Sequence, residues 1–270
     1  MTGRAFVGMS GWVYTPWRGV FYPRGLAQKN ELAYAASHVT SIEINGSFYS
    51  LQKPASWVHW RDSTPGDFVF SVKAPRFITH IKRLGDVELP LANFFASGVL
   101  ALGAKLGCIL WQLPPNLHFD AAVVEAFLAH LPRTTTEAAT LARRREARMT
   151  GREHLDTDAE RPLRHAMEVR HPSFDDPRFF ELLDRAGVAT VLADTAGKWP
   201  RIDRETGDFS YVRLHGDTIL YESGYDDQAL DTWAGRVLAW RDEGRDVFVY
   251  FDNDLKVRAP VDAMALIRRL

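Results

Sequence analysis

Ser41-Ile-Glu-Ile-Asn-Gly-Ser-Phe-Tyr49 decides how this chain folds. Ile42 and Ile44 alternate with Ser41, Glu43 and Asn45, so an extended strand puts the isoleucines on one face and the polar groups on the other. Gly46 breaks the strand, and Phe48 and Tyr49 follow in the loop. A carboxylate near a strand end is costly to bury unless it is paired or used. Met once, this is an oddity; repeated, it marks a site. Working outward, Tyr211-Val-Arg-Leu-His215 sets Val212 and Leu214 against Tyr211, Arg213 and His215, and Gly216 closes it. Ala166-Met-Glu-Val-Arg170 sets Met167 and Val169 against Glu168 and Arg170, and Val247-Phe-Val-Tyr-Phe-Asp252 sets Val247, Val249 and Phe251 against Phe248, Tyr250 and Asp252. Four strands that end in polar residues opposite their aliphatic face are gathered most simply by a closed parallel barrel, whose catalytic residues come from the C-terminal strand ends.

The remaining sequence fits that barrel. Strands are predicted over residues 6–10, 68–73, 106–113 and 188–194, with helices over 26–37, 54–62, 91–102, 121–131, 177–185, 229–241 and 261–270. Strand and helix alternate with no linker and no shift of composition, which predicts one α/β domain over residues 1–270, a TIM (β/α)8-type barrel of parallel strands and outer helices. Residues 133–161 depart from the rhythm. They are rich in Thr, Ala and Arg, include Arg143-Arg-Arg-Glu-Ala-Arg148, and carry few large apolar residues. They read as a charged insertion, an exposed helix plus a mobile loop, and as a helix-to-strand connection they belong at the bottom rim, away from the site.

The 33 basic and 34 acidic side chains nearly cancel, so no overall charge draws the chain to nucleic acid or a membrane, and an anionic partner must be attracted locally. The one cysteine, Cys108, lies in the apolar run Leu106-Gly-Cys-Ile-Leu-Trp111, which excludes an internal disulfide and reads as a buried thiol. No apolar run approaches the ~18 residues of a membrane span. The expectation is a soluble, cytoplasmic protein.

Several motifs, taken together and in order, resemble the YecE-like family, the domain of unknown function 72. They are Gly8-Met-Ser-Gly-Trp12, Phe21-Tyr-Pro23, Glu43-Ile-Asn-Gly-Ser-Phe-Tyr49, Phe70-Ser-Val-Lys-Ala-Pro75, Thr79-His80, Gln112-Leu-Pro-Pro115, Glu168-Val-Arg-His171, Arg213-Leu-His-Gly216 and Tyr250-Phe-Asp-Asn253. The resemblance implies a TIM barrel and no established activity. Asp252 stands where the resemblance leads one to expect asparagine, which adds a carboxylate at the mouth, and Phe174 where one expects tryptophan.

Strand parity directs Ser10, Glu43, Asn45, Lys73, Gln112 and Glu168 into the mouth, with Arg170, Asp194, Arg213, His215, Tyr250 and Asp252 completing it. A barrel that only needed to fold would fill this volume with branched aliphatics. The expected division of labour gives acid–base chemistry to Glu43, Glu168, His215 and Asp194. Binding of a small anionic, phosphorylated or carboxylated ligand falls to Lys73, His80, Arg170 and Arg213, arginine being suited to bidentate contact. Asn45, Gln112, Tyr250, Asp252, Asn253 and the aromatic Trp12 complete the expected binding set. Trp12, Tyr14, Trp17, Phe48 and Tyr49 could form an aromatic rim. The competing reading is a charged plug in which Glu43 or Glu168 pairs with Arg170 or Arg213 and merely shuts the barrel.

No glycine-rich phosphate loop, nucleophile elbow or dinucleotide fingerprint is present, so no nucleotide cofactor is implied and the cofactor is left open. A divalent metal would find Glu168, Asp194, His215 and Asp252 on strand ends, though the arginines would repel it. Two other classes compete: nucleic-acid binding or metal-dependent phosphodiester hydrolysis on the pattern of apurinic endonucleases, which the near-zero charge disfavours, and non-catalytic ligand binding.

Overall fold

Eight strands follow one another around the barrel in chain order: β1 (Ala5–Ser10), β2 (Ser41–Ile44), β3 (Val69–Lys73), β4 (Leu106–Gln112), β5 (Arg164–Glu168), β6 (Val188–Asp194), β7 (Phe209–Leu214) and β8 (Asp246–Phe251). Each is parallel to its neighbours, and β8 closes onto β1 through the register Ala5 to Val247 and Met9 to Phe251. The structure is a computed structural model that describes residues 2–270. Nine helices among those residues surround the sheet: α1 (Glu31–Ala36), α2 (Gly46–Tyr49), α3 (Pro54–Asp62), α4 (Glu88–Ala96), α5 (Ala121–Ala129), α6 (Thr135–Ala142), α7 (Pro177–Ala186), α8 (Asp227–Asp242) and α9 (Arg258–Ile267). No helix among the described residues is long and apolar enough to cross a membrane.

Sequence signals explain four of the nine helix starts. Asp120, Thr134, Asp176 and Asp226 each accept a backbone N–H of the first turn they precede, the usual role of a side-chain oxygen at that position. At α6 the arrangement is reciprocal, because Glu137 also reaches back to accept the Arg133 N–H. The helix expected over 91–102 instead divides into α4 and a 3-10 segment, Val99–Lys105. Gly98 makes the break, at φ 109°, and a Cβ there would come within 2.8 Å of Pro54 Cα; α3 therefore packs directly against the bend. Gly46 and the residues after it form the short helix α2 rather than a loop.

Alternating side chains sort into two compartments. Ile42, Ile44, Val212, Leu214, Val247, Val249 and Phe251 join the large core between sheet and helices, while Phe6, Cys108, Leu110, Tyr211, Phe248 and Tyr250 fill the barrel interior. The bottom of the interior is aromatic: Phe6 stacks on Phe248 at 4.9 Å and Phe209 meets Phe248 at 5.7 Å. Arg164 lies over the Phe209 ring and pairs with Asp246 at 2.7 Å, which closes that end.

The 133–161 segment is charged, as its composition says, but its buried face and its reach differ from the expectation. Thr135, Ala138, Ala139 and Ala142 of α6 are buried, and α6 packs against α4, because alanines on one face let the two helices approach closely. Arg145 pairs with Glu153, Arg143 with Asp156 and Arg161 with Asp158. Rather than staying at the bottom rim, the segment is tied to the outer wall by Asn93, whose amide donates to Glu146 Oε2 and accepts the Glu146 N–H. Glu146 and Arg148 consequently line a cleft of about 550 Å³ together with Phe48, Pro75 and Arg76, residues that follow β2 and β3.

Candidate functional site

Arg213, near the end of β7, is wholly buried, and its guanidinium is the hub of the mouth. Nε and Nη2 donate to Glu43 of β2 at 3.1 and 2.8 Å, a two-pronged contact. Nη1 donates to Glu168 of β5 at 2.8 Å, and Nη2 also reaches Asp252 at 3.0 Å and Ser10 at 3.2 Å. Glu43 is further held by the hydroxyls of Ser10 and Tyr211, each at 2.7 Å. Every oxygen of Glu43 and Glu168 is thereby occupied, since Arg170 Nε donates to Glu168 Oε1 at 2.7 Å. Burial alone would raise the Glu168 carboxyl, but Arg170 and Arg213 overcome it and hold the group well below the usual carboxylate range. Asp252 behaves alike: burial opposes ionisation, and Arg213 and His215 outweigh it. Glu168 and Asp252 are therefore anions at neutral pH.

His215 is fixed between Arg213 and Asp252. Its Nε2 lies 3.3 Å from Arg213 Nη1, and its Nδ1 lies 3.0 Å from Asp252 Oδ2. Arginine can only donate, so Nε2 accepts and the proton sits on Nδ1, close to Asp252 but without an aligned hydrogen bond to it. Burial, then the Arg213 charge, lowers the imidazole's pKa against the pull of Asp252, which keeps the ring neutral.

Above this layer lie groups with spare capacity. Lys73, at the end of β3, is 9 % exposed, and its ammonium sits 4.4 Å over the Phe48 ring. Among the described residues no carboxylate comes within 4.0 Å of its Nζ. Burial and then Arg213 push its pKa down to about 8, although Asp252, Glu43 and Glu168 favour the charged form. Arg170 lies past the end of β5, with its guanidinium 3.8 Å from the Trp199 ring. His80, on the turn after β3, is engaged at Nδ1 by the Thr79 hydroxyl at 2.8 Å, and burial with the charges of Arg76, Lys73 and Arg170 lowers it to about 4. Tyr221 packs edge-on against His215 at 5.4 Å and caps this side of the mouth.

The structure therefore brings together Glu43, Lys73, His80, Glu168, Arg170, Arg213, His215 and Asp252, and Gln112 pairs in register with Glu168 beside them. It corrects five assignments. Asp194 pairs in register with Leu214 and faces the helix side, where Tyr225 OH donates to it at 3.3 Å; Ala189, Val191 and Ala193 are the inward residues of β6. Asn253 has the opposite parity to Asp252 and is fully buried, its amide donating to Ser223 O and Asp262 Oδ2. Tyr250 does point inward but one step below Asp252, where its hydroxyl is held by Ser41 and Ser71 at 2.6 and 2.8 Å, out of reach of a ligand. Trp12 packs on Trp60 at 5.4 Å and lines a separate shallow cleft with Tyr14 and Asn45, whose Oδ1 is buried without a protein partner. Of the expected aromatic rim, Trp17 is fully buried and Tyr49 exposed.

With Asp194 on the other face, the four carboxylate and imidazole groups considered for a metal do not converge, and among the described residues no group of three or more His, Cys, Asp or Glu side chains is placed to hold one. Sequence reasoning missed Trp199 and Tyr221. Both lie in the connections around β7, where no periodicity betrays which side chain turns inward.

Comparison with known proteins agrees with this architecture. The family described as "Protein of unknown function DUF72" matches residues 6–270. UPF0759 protein YunF of Bacillus subtilis is 24 % identical over 279 residues, covering 92 % of this chain and 88 % of that one. UPF0759 protein YecE of Escherichia coli is 28 % identical over 109 residues, 40 % of this chain and 37 % of the relative. A solved DUF72 family protein from Thermotoga maritima superposes with a TM-score of 0.76 at 24 % identity over 98 % of both chains. One from Enterococcus faecalis gives 0.75 at 17 % identity, over 98 % of this chain and 95 % of that one.

Proposed function

We propose, for a chain that belongs to the DUF72 family, that the C-terminal mouth of the barrel is an active site for acid–base chemistry on a small substrate bearing a carboxylate or phosphate. Lys73 carries this reading. An ammonium buried to this degree without a carboxylate partner is costly. A plug serving stability alone would pair it or replace it with an apolar residue. The pKa of Lys73, pushed down to about 8, lies near the operating pH that a general acid or base needs. The carboxylates expected to act as bases have the supporting part instead. Glu43 and Glu168 anchor Arg213, and the resulting charge platform sets the field at Lys73.

Anion recognition falls to Arg170 and His80. Arg170 Nε is committed to Glu168, and Nη1 and Nη2 make no hydrogen bond to protein among the described residues. His80 leaves Nε2 unengaged. Titration calorimetry with inorganic phosphate and with small mono- and dicarboxylates tests the reading. Arg170→Ala and Lys73→Met should each weaken binding by roughly tenfold or more, equivalent to ~1.4 kcal/mol, while Asn253→Ala leaves it unchanged. Equal binding by wild type and both mouth variants would show that the site lies elsewhere.

A further inference from the structure

We infer that Lys73 is a nucleophile, its Nζ forming an imine with the carbonyl carbon of an aldehyde or ketone that also carries a carboxylate or phosphate. The inference rests on the mouth being the active site and specifies its substrate class. Geometry supplies the argument. A lysine paired with a carboxylate keeps its proton and hides its lone pair. Here each nearby carboxylate is already committed, Glu43 and Glu168 to Arg213 and Arg170, and Asp252 to Arg213 and His215. Among the described residues the ammonium makes no hydrogen bond or ion pair, and it sits over the face of Phe48, which orients the side chain without consuming the nitrogen. Arg213 is near enough to lower its pKa and, as a guanidinium, offers no acceptor for its proton. With a pKa near 8, roughly a tenth of the amine is free base at pH 7. A desolvated lysine beside another cation is the arrangement that makes an amine nucleophilic.

The reaction balances without any further reagent. The Nζ lone pair forms the C–N bond as the carbonyl π pair moves to oxygen, giving a carbinolamine once that oxygen takes a proton. The oxygen then leaves as water with the second proton originally on nitrogen, and the C=N bond closes. Arg170, whose Nη groups are unengaged, stands on the same rim to hold the substrate's anionic group, and the Arg170 and Lys73 charges both reach His80.

The protein is incubated with glyoxylate, pyruvate or glyceraldehyde 3-phosphate in the presence of sodium cyanoborohydride, which reduces the imine to a stable secondary amine that peptide mass mapping locates. The expected result is Lys73 modified at least tenfold faster than the exposed Lys29 and Lys53. The rate should rise between pH 7 and 9 and fall when inorganic phosphate is added. Lys73→Arg, which keeps the charge and hence the packing over Phe48, should lose the adduct while still binding phosphate. Lys73 that reacts no faster than Lys29 overturns the inference. If phosphate binds wild type and is lost in Arg170→Ala while no adduct forms on Lys73, the imine chemistry is wrong and the anion site stands. If neither adduct nor phosphate binding is seen, both readings fall.

Discussion

Replacing Arg213 by methionine isolates what the buried charge platform contributes. The substitution keeps an unbranched side chain of similar reach but removes every N–H that now serves Glu43, Glu168, Asp252 and Ser10. Glu43 and Glu168 have no exposed surface, so neither can recover the loss from water, whereas Asp252 at 14 % exposure partly can. Breaking a buried pair by removing one partner costs about 3–5 kcal/mol. Because Arg170 still holds one oxygen of Glu168, the expected total stays near the upper end of one such loss, ~5 kcal/mol, rather than its double. At roughly 2–4 °C per kcal/mol for a domain of this size, the melting temperature should fall by about 10–20 °C.

The pH dependence is the sharper half of this prediction. In the wild type, Glu168 and Asp252 titrate below the unfolded values, so their contribution is present above the unfolded pKa of ~4 and is lost as pH falls toward the folded one. Without the guanidinium, Glu168 and Asp252 lose one of the charges that hold them down, and their folded values move up toward the unfolded ~4, less far for Glu168, which keeps Arg170. The extra stability of the wild type is therefore present at neutral pH and is lost as pH falls through those values. The stability gap between wild type and Arg213→Met should narrow from pH 7 to pH 3, as measured by urea denaturation at each pH. A gap under ~1 kcal/mol at pH 7, the value of an exposed ion pair, or one that widens on acidification, would refute the reasoning.

Other outcomes follow from individual contacts. Lys73→Met should be more stable than wild type at pH 7, with the advantage shrinking between pH 8 and 10.4: the folded amine loses its proton near 8 and the unfolded one near ~10.4, so wild-type stability rises across that interval in denaturation curves. Asn253→Ala should cost about 1–3 kcal/mol, because it leaves the buried Asp262 carboxylate short of a donor, yet should not alter phosphate affinity in calorimetry. Asp120→Ala should cost about 1 kcal/mol through the loss of the α5 cap, a drop of a few degrees in a thermal melt. Gly8→Ala should prevent soluble expression, since a Cβ there would lie 1.7 Å from the Ser41 carbonyl oxygen across the β1–β2 pair.

Legibility varied with how unequal the two faces of each strand are. In β2, β5, β7 and β8 the aliphatic residues occupy one parity, and Glu43, Glu168, Arg213 and Asp252 meet inside as assigned, while Asn45, just past the end of β2, turns to the Trp12 cleft. The segment Val188-Ala-Thr-Val-Leu-Ala-Asp194 offers apolar residues on both parities, because small Ala189 and Ala193 fill the tapered interior while Val188 and Leu192 face the helices. Alternation carries no signal there, and Asp194 was placed on the wrong side. Depth is a second blind spot. A strand's pattern says which way Tyr250 points but not that the barrel's stagger sets it a layer beneath Asp252, against Ser41 and Ser71. The identity of the proton-transfer group was also illegible. Glu43 and Lys73 look equally available in the chain, and only the set of partners around each separates a spent carboxylate from an unpaired amine.

The guanidinium of Arg213 draws on the first half of the chain for Ser10 and Glu43 and on the second for Glu168, His215 and Asp252. A fragment ending after β4 would keep an acidic side chain that has nowhere to neutralise, and its complement would keep the cation with only part of its counter-charge. Neither four-stranded piece holds a full set of partners for these buried charges, so cutting the barrel between β4 and β5 separates the cation from half of what neutralises it.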